Sequence, residues 1–144
     1  QNVNHSLINY AYCVDNPRNY TGYSSHCWGL TASDNPWGYN AHSPTNDLGV
    51  ISPTAAVSSL PYTPLQSMNA IRHFYYILGD RLWGQYGFYD AFAPREGWWA
   101  GSYLAIDQGP MICMIENFRS GLLWDLFMSA PEVQQGLTKL GFTY

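Results

Sequence analysis

One stretch constrains the fold of this chain more than any other: residues 102–119, SYLAIDQGPMICMIENFR. Gly109-Pro110 predicts a helix start, because the missing N–H of proline would be unpaired in the first turn anyway. Every residue from Met111 to Ile115 is apolar or a thiol, which is typical of a buried helix. Asp107 and Glu116 lie at its two ends. A carboxylate in apolar surroundings must be paired, hydrogen-bonded or neutral, so both acids are candidates for chemistry.

The composition predicts a large interior and an aromatic-lined cleft. Of 144 residues, 11% are charged and 17% are aromatic, whereas about a quarter of an average globular protein is charged. The net charge of −4 argues against nucleic acid as a partner, since nucleic-acid-binding proteins present clusters of Lys and Arg. We also expect no membrane span, because no apolar run has the required length. The first residues lack the pattern of a signal peptide.

The cysteines and histidines give no metal-binding pattern. Cys13, Cys27 and Cys113 form no C-x-x-C pair and have no zinc-ligand spacing with any of the four histidines. His73 is interpreted as a packed or surface residue, and we expect neither a metal nor another cofactor. Two alternatives remain for Cys13 and Cys27: a disulfide in an exported protein, or buried free thiols.

Apolar spacing and capping residues predict helices in five places, which are residues 3–14, 53–60, 64–83, 110–127 and 131–140. Thr63 is the expected N-cap of the third of these, ahead of Pro64. Its buried face is predicted from five apolar residues: Leu65, Met68, Ile71, Tyr75 and Leu78. Because no segment shows the alternation of a strand, the sequence predicts an all-α fold whose loops carry the function.

Two long loops, residues 18–64 and 84–103, are rich in Gly, Pro, Ser, Tyr and Trp. Loops of such length are functional or disordered, and their aromatic content argues against disorder. They contain the acids Asp34 and Asp90. An Asx-turn role is the alternative for Asp34. The pair Trp98-Trp99 could stack on a ligand or fill the core.

Five blocks of sequence resemble one known family: CWGLTASD (27–34), SPTAAVSSLPYTP (52–64), LWGQYGFYDAF (82–92), SYLAIDQGP (102–110) and MIENFRSGLLWDLF (114–127). They are similar to the glucoamylase-like domain family, which includes exported bacterial β-1,2-glucanases. The resemblance implies an (α/α)6 toroid with the sugar bound at one mouth. A complete toroid needs more helices than this chain has. Residues 1–144 therefore resemble the C-terminal third of one such domain, with no internal boundary.

The resemblance also implies glycoside hydrolysis of the inverting kind, with one carboxylic acid and one carboxylate acting across the bond. We expect Asp107 to be a base-side or sugar-binding carboxylate, with Asp34 and Asp90 as the next candidates. N-capping of the following helix is the alternative for Asp107. Glu116 ranks lower, because Arg119 can neutralise it in a helix-surface ion pair.

The same resemblance assigns aromatic rings to sugar stacking and polar side chains to hydroxyl groups. These substrate-binding candidates are Trp28, Trp37, Trp98, Trp99, Tyr103, Arg95 and Gln108. We expect Asp107 and the Trp98–Trp99 pair to face one cavity. The expected partners are a glucan and the remaining N-terminal part of the same domain, which would hold the proton-donating Glu.

Without that part we expect this piece to be inactive. The resemblance places the protein outside the bacterial cytoplasm, exported to the periplasm or the cell surface. The alternative function is a non-catalytic carbohydrate-binding module that uses the same aromatic residues.

Overall fold

The computed structural model describes residues 1–143, and about half of them are helical. The described part contains seven helices: α1 Asn2–Asp15, α2 Pro53–Val57, α3 Pro64–Tyr76, α4 Gly79–Leu82, α5 Ala105–Ser120, α6 Leu122–Ser129 and α7 Pro131–Lys139. The expectation of a mainly helical chain is confirmed at this level. None of these helices combines the length and apolar character that a membrane span requires.

The expectation that no strand would form was wrong, because the long loops contain three short antiparallel hairpins. They are β1 Ala32–Asn35 with β2 Gly38–Ala41, β3 Trp83–Gly84 with β4 Gly87–Phe88, and β5 Phe92–Ala93 with β6 Trp98–Trp99. Strands of two to four residues are too short to show a period of two in the sequence. The hairpins give the loops a fixed shape.

Helix α3 shows that apolar spacing alone indicates the buried face only in part, since Ile71 and Leu78 of the predicted face pack against the core. It begins at Pro64 after Thr63, as predicted, but it ends at Tyr76 before the short helix α4. Its fully buried residues are Ser67, Ala70 and Phe74, whereas Leu65 and Tyr75 are exposed. The small residues Ser67 and Ala70 lie on the buried side of α3, which packs against α2.

Helix α5 differs from the prediction in its start and in its burial. It begins at Ala105 rather than at Pro110, so Asp107 lies in its first turn. The helix is not buried on all sides: Met111 is buried, whereas Ile112 is 69% exposed. The prediction of burial on all sides assumed that every apolar side chain of the helix packs against other parts of this chain.

The core lies beneath the two long loops, where aromatic rings pack edge to face. Phe74 contacts the rings of Phe88 and Phe92, with centroids 6.0 and 5.8 Å apart. The backbones of Ile51 and Phe92 exchange two hydrogen bonds of 2.9 Å, which join the first loop to the second. This pairing brings together segments that are some forty residues apart in sequence and fixes the site described below.

The two N-terminal cysteines are buried free thiols, so the disulfide alternative was wrong. Burial raises the pKa of both Cys13 and Cys27 to about 12. A thiol that does not ionise near neutral pH is a poor nucleophile. These residues therefore fill space in the core.

Candidate functional site

Three acids from three separate elements meet in one cluster. Asp34 lies on β1, Asp90 lies two residues before β5, and Asp107 lies in the first turn of α5. The backbone N–H of Asp34 donates to Oδ2 of Asp90 at 2.7 Å. The hydroxyl of Ser102 donates to Oδ2 of Asp34 at 2.5 Å. The carboxyl groups of Asp90 and Asp107 lie close enough for each to change the pKa of the other.

The start of α2 holds two of these acids by their backbones. Ser52 Oγ donates to the carbonyl of Asp90 at 2.7 Å, and Thr54 Oγ1 donates to the carbonyl of Asp107 at 2.8 Å. The N–H of Ser52 in turn donates to the carbonyl of Gly29 at 2.9 Å. Two hydroxyl groups at the start of one short helix thus hold the backbones of Asp90 and Asp107 next to each other.

Burial and mutual repulsion change the acidity of the pair. Burial raises the pKa of Asp90 from 3.8 to about 7, with Asp107 adding to the rise and the N–H of Asp34 opposing it. Burial also raises the pKa of Asp107. The interaction of Asp107 with Asp90 lowers this pKa, and the negative charge of Asp34 raises it. Two neighbouring carboxylates cannot both ionise easily, so the pair keeps a proton to a higher pH than an isolated aspartate does.

Asp107 faces an open hollow of about 260 Å³. Hydroxyl groups border the hollow, since its lining includes Thr31, Tyr39, Thr54 and Ser58. Asp107 itself is only 7% exposed. A carboxylate at the edge of a hollow with several hydroxyl groups can bind a polyhydroxylated ligand or accept a proton from water.

The tryptophans assigned to sugar stacking have different surroundings. Trp28 has no exposed surface and donates from Nε1 to the carbonyl of Gln66, so its assignment to ligand contact was wrong. Trp99 stacks on buried Phe92 with centroids 5.0 Å apart. Within the described residues, the hollow at Asp107 is lined by neither Trp98 nor Trp99. The shared cavity expected for Asp107 and this pair was therefore wrong.

Trp37 is accessible. It lies in the turn between β1 and β2 and is 66% exposed. Its backbone N–H donates to Oδ1 of Asn35, so the Asx turn suggested for Asp34 belongs to the next residue. In this hairpin Asp34 pairs with Tyr39, and the ring of Tyr39 reaches the hollow.

Among the described residues, the remaining predicted contact residues do not line the hollow at Asp107. Gln108 donates to the carbonyl of Phe88 at 2.7 Å, which places its amide in the structure of the loop. Tyr103 packs on Tyr89 with centroids 4.8 Å apart. The guanidinium of Arg95 lies 5.9 Å from the centre of the Tyr20 ring. These positions favour structural roles within this chain.

The ion pair predicted for Glu116 is present, with Arg119 Nε 3.0 Å from its carboxylate. Hydrogen bonds from Ser120 and Arg119 lower the pKa of Glu116, which supports its lower rank. Side-chain capping was also the wrong alternative for Asp107, because Leu104 is the N-cap of α5. Within residues 1–143, no group of three or more His, Cys, Asp or Glu side chains, the three clustered acids included, is arranged so that it could hold a metal ion.

Four residues of the site were not identified from the sequence: Ser52, Thr54, Ser102 and Tyr39. Ser52 was expected only to cap α2, yet its hydroxyl contacts a loop 38 residues away. Tyr39 had a usable signal, because a two-residue Pro36-Trp37 turn would place it opposite Asp34 in a hairpin. Long-range hydroxyl contacts such as that of Ser102 leave no such periodic signal.

The broad class that the structure defines is a mainly helical protein in which three acids from separate elements form one cluster. The sequence model of the Glycoamylase family, described as "Putative glucoamylase", matches residues 1–131. The chain belongs to this family.

Known proteins resemble the chain over nearly all of its length. It is 48% identical over 135 residues to an exo β-1,2-glucooligosaccharide sophorohydrolase (non-reducing end) from Parabacteroides distasonis, which covers 92% of this chain and 19% of that protein. It is 66% identical to the crystal structure of a "putative glucoamylase" from Bacteroides uniformis, with a TM-score of 0.97. That match covers 98% of this chain and 34% of the other.

A third relative is the endo-β-1,2-glucanase from Chitinophaga pinensis, whose structure was solved with sophorotriose and glucose. It is 58% identical, with a TM-score of 0.94, and the match covers 96% of this chain and 34% of that one. The chain therefore spans about a third or less of the length of these three relatives.

Proposed function

We propose that the chain is part of a glycoside hydrolase that cleaves β-1,2-glucan with inversion. The observation that carries this proposal is the cluster of Asp34, Asp90 and Asp107 beside a hollow lined with hydroxyl groups. Two of the relatives are named for action on β-1,2-linked glucose chains. In this proposal Asp107 is the carboxylate that activates water or holds the sugar, because it is the acid of the cluster that lines the hollow.

The same cluster supports a proton donor outside this chain. An inverting enzyme holds its two carboxyl groups roughly 6.5–9.5 Å apart to leave space for water. Asp90 is buried and does not line the hollow at Asp107, so these two acids are not placed on opposite sides of a glycosidic bond. We propose that the second acid belongs to the remaining part of an (α/α)6 toroid and that residues 1–144 alone are inactive.

Location outside the cytoplasm, in the periplasm or at the cell surface of a bacterium, also belongs to the proposal. A long glucan substrate is available to an enzyme there. Fractionation of the host cells followed by detection of the full-length protein would test this assignment.

The test of catalysis is Asp107→Asn in the full-length protein, with release of oligosaccharides from β-1,2-glucan as the measurement. Loss of a carboxylate that activates water is expected to lower kcat by about 100-fold or more. Asp80→Asn is the matched control, because Asp80 is an exposed acid on α4. Equal turnover in the wild type and the Asp107 variant would contradict the role of Asp107.

A non-catalytic carbohydrate-binding module is the second candidate, and one observation favours it. Trp37 and Tyr39 expose their rings on the β1–β2 hairpin, where they could stack on sugar faces. Binding of β-1,2-glucan by a full-length wild type that shows no turnover would support this alternative and contradict the hydrolase.

A further inference from the structure

Asp90 differs from the other two acids of the cluster in its access to the hollow. It is 2% exposed, and the lining of the hollow includes Asp107 but not Asp90 among the described residues. A substrate in the hollow would therefore touch Asp107 alone of the two. Any effect of Asp90 on the reaction must therefore act through a neighbouring residue, and Asp107 is the neighbouring acid that lines the hollow.

The hydrogen bonds around Asp90 leave one place for a proton. Its Oδ2 accepts the N–H of Asp34 at 2.7 Å. Its Oδ1 is buried and receives no hydrogen bond from any other described residue, and the same is true of Oδ2 of Asp107. Each of these neighbouring acids thus has one buried oxygen without a partner, and a single proton held between the two carboxyl groups would satisfy both oxygens.

The charges around the pair strengthen this arrangement. The other acids of the cluster are Asp34 on β1 and Asp107 on α5. Two neutral hydroxyl groups also contact the cluster: that of Ser52, just before α2, and that of Ser102, in the loop before α5. Arg119 forms an ion pair with Glu116, outside the cluster. Within residues 1–143, no cation forms an ion pair with any of the three acids. Without a cation, repulsion among the acids is relieved by a bound proton.

We propose that Asp90 is a positioning residue that, as a neutral acid, donates a hydrogen bond to Asp107 and thereby keeps Asp107 ionised and correctly oriented. This inference rests on the proposed function, since it assigns Asp107 a carboxylate role in hydrolysis. Asp90 keeps its proton throughout the reaction. When Asp90 loses this proton as the pH rises, Asp107 loses its donor and faces a second negative charge, so activity falls on the alkaline side.

The test compares Asp90→Asn with Asp90→Leu in the full-length protein. Asparagine keeps a permanent N–H donor toward Asp107 and an oxygen that accepts the N–H of Asp34, whereas leucine has a similar size and no polar group. We expect leucine to lower kcat on β-1,2-glucan about 100-fold and asparagine to lower it much less. The alkaline limb of the asparagine variant moves up by about one pH unit or more.

Two kinetic results would overturn the inference. An alkaline limb that is unchanged in Asp90→Asn would show that Asp90 does not set it. Equal loss of kcat in folded asparagine and leucine variants would show that a hydrogen-bond donor at this position is not sufficient. If leucine prevents folding, the pH profile of the asparagine variant still decides.

A measurement without substrate separates this inference from the proposed function. Infrared difference spectra of the full-length protein near pH 6 should show a buried neutral carboxylic acid in the wild type and its loss in Asp90→Asn. A wild type that lacks turnover but gives this result contradicts the hydrolase and supports the shared proton. A spectrum that is the same in both proteins overturns the inference, whatever the activity.

Discussion

The number of hydrogen-bond donors decides what each buried acid can do. Asp47 is as buried as Asp90 but accepts three donors at its carboxylate: Tyr12 at 3.0 Å, Tyr23 at 2.7 Å and the N–H of Gly49 at 2.9 Å. The carboxylate of Asp90 accepts one backbone donor, and its other oxygen is buried without a partner among the described residues. A fully satisfied carboxylate is suited to hold a loop in place, whereas a partly satisfied one is suited to chemistry.

Removal of one donor from Asp47 tests its structural role. Tyr23→Phe deletes a buried hydrogen bond to the carboxylate and should lower the free energy of unfolding by about 2 kcal/mol. Tyr20→Phe is the matched control, because its hydroxyl donates only to the carbonyl of Asp47, at 3.1 Å, and should cost about 1 kcal/mol or less. Urea unfolding of the full-length variants measures both. A smaller loss for Tyr23→Phe than for Tyr20→Phe would contradict the assignment.

The raised pKa of Asp90 predicts how stability changes with pH. Below about pH 4 both the folded and the unfolded state hold this proton, and the stabilisation is complete. As pH rises toward the folded-state pKa of about 7, the unfolded state releases the proton first, so stability falls. Above pH 7 the loss levels off, at a few kcal/mol in size, since each pKa unit corresponds to about 1.4 kcal/mol.

Asp90→Asn should remove this dependence. Urea unfolding of the full-length protein at each pH from 4 to 8 gives the two curves, and Asp80→Asn provides a control with an exposed acid. The wild type and the control should lose stability in parallel, while the asparagine variant stays flatter. Parallel curves for all three proteins would show that Asp90 takes no part in the pH dependence.

At the residue scale, the sequence supplied the three acids but not their partners. Asp34, Asp90 and Asp107 were selected because each lies in a block that resembles one family, and the structure brings them together. Trp28 was selected on the same grounds, yet it is fully buried. A motif identifies which residues matter but does not distinguish a ring that packs in the core from one that contacts a ligand.

At the scale of elements, the short helix α2 connects the core to the site. Gly29 has a φ of +137° and lies so close to α2 that a Cβ atom there would be 2.7 Å from the carbonyl oxygen of Ser52. Gly38, in the β1–β2 turn, has the same φ of +137° with open space around it. The two glycines therefore separate the cost of backbone strain from the cost of steric overlap.

Alanine substitutions at these glycines should differ in their effect. Both variants bear the strain of an unfavourable φ, on the order of 1–2 kcal/mol. Gly29→Ala should cost about 1–3 kcal/mol more, because α2 must move. Since α2 holds Asp90 and Asp107, Gly29→Ala should also reduce activity, while Gly38→Ala should not. Thermal unfolding and glucan hydrolysis of the full-length variants test this, and equal costs would contradict the close approach.

The elements show where sequence analysis works and where it fails. Helix α1 was predicted as residues 3–14 and extends over Asn2–Asp15, because its apolar spacing and its end signal are local. The β5–β6 hairpin was missed because its pairing of Phe92 with Trp99 depends on a turn of only a few residues. The early start of α5 was missed because Pro110 was interpreted as a first-turn residue.

At the scale of the whole molecule, apolar surface is concentrated on the C-terminal helices. Helices α5 and α6 expose several large apolar side chains, which are Ile106, Ile112, Ile115, Phe118, Leu122, Leu123, Trp124, Leu126 and Phe127. A second hollow of about 280 Å³ lies between α5 and the β3–β4 hairpin and has a mainly apolar lining. Soluble proteins rarely leave such a surface uncovered. The chain spans about a third of the length of the related crystal structures. We therefore propose that the remaining part of the domain covers this apolar surface.

This proposal predicts opposite effects of one substitution in two settings. In the full-length protein, Ile112→Asp should lower the free energy of unfolding by about 2–4 kcal/mol, because it would bury a charge against the remaining part. In residues 1–144 alone, where Ile112 is 69% exposed, it should reduce self-association and binding of a dye for apolar surfaces. Gln135→Asp on α7 is the control with a small effect in both. If Ile112→Asp destabilises the full-length protein no more than the control does, this face of α5 stays in solvent.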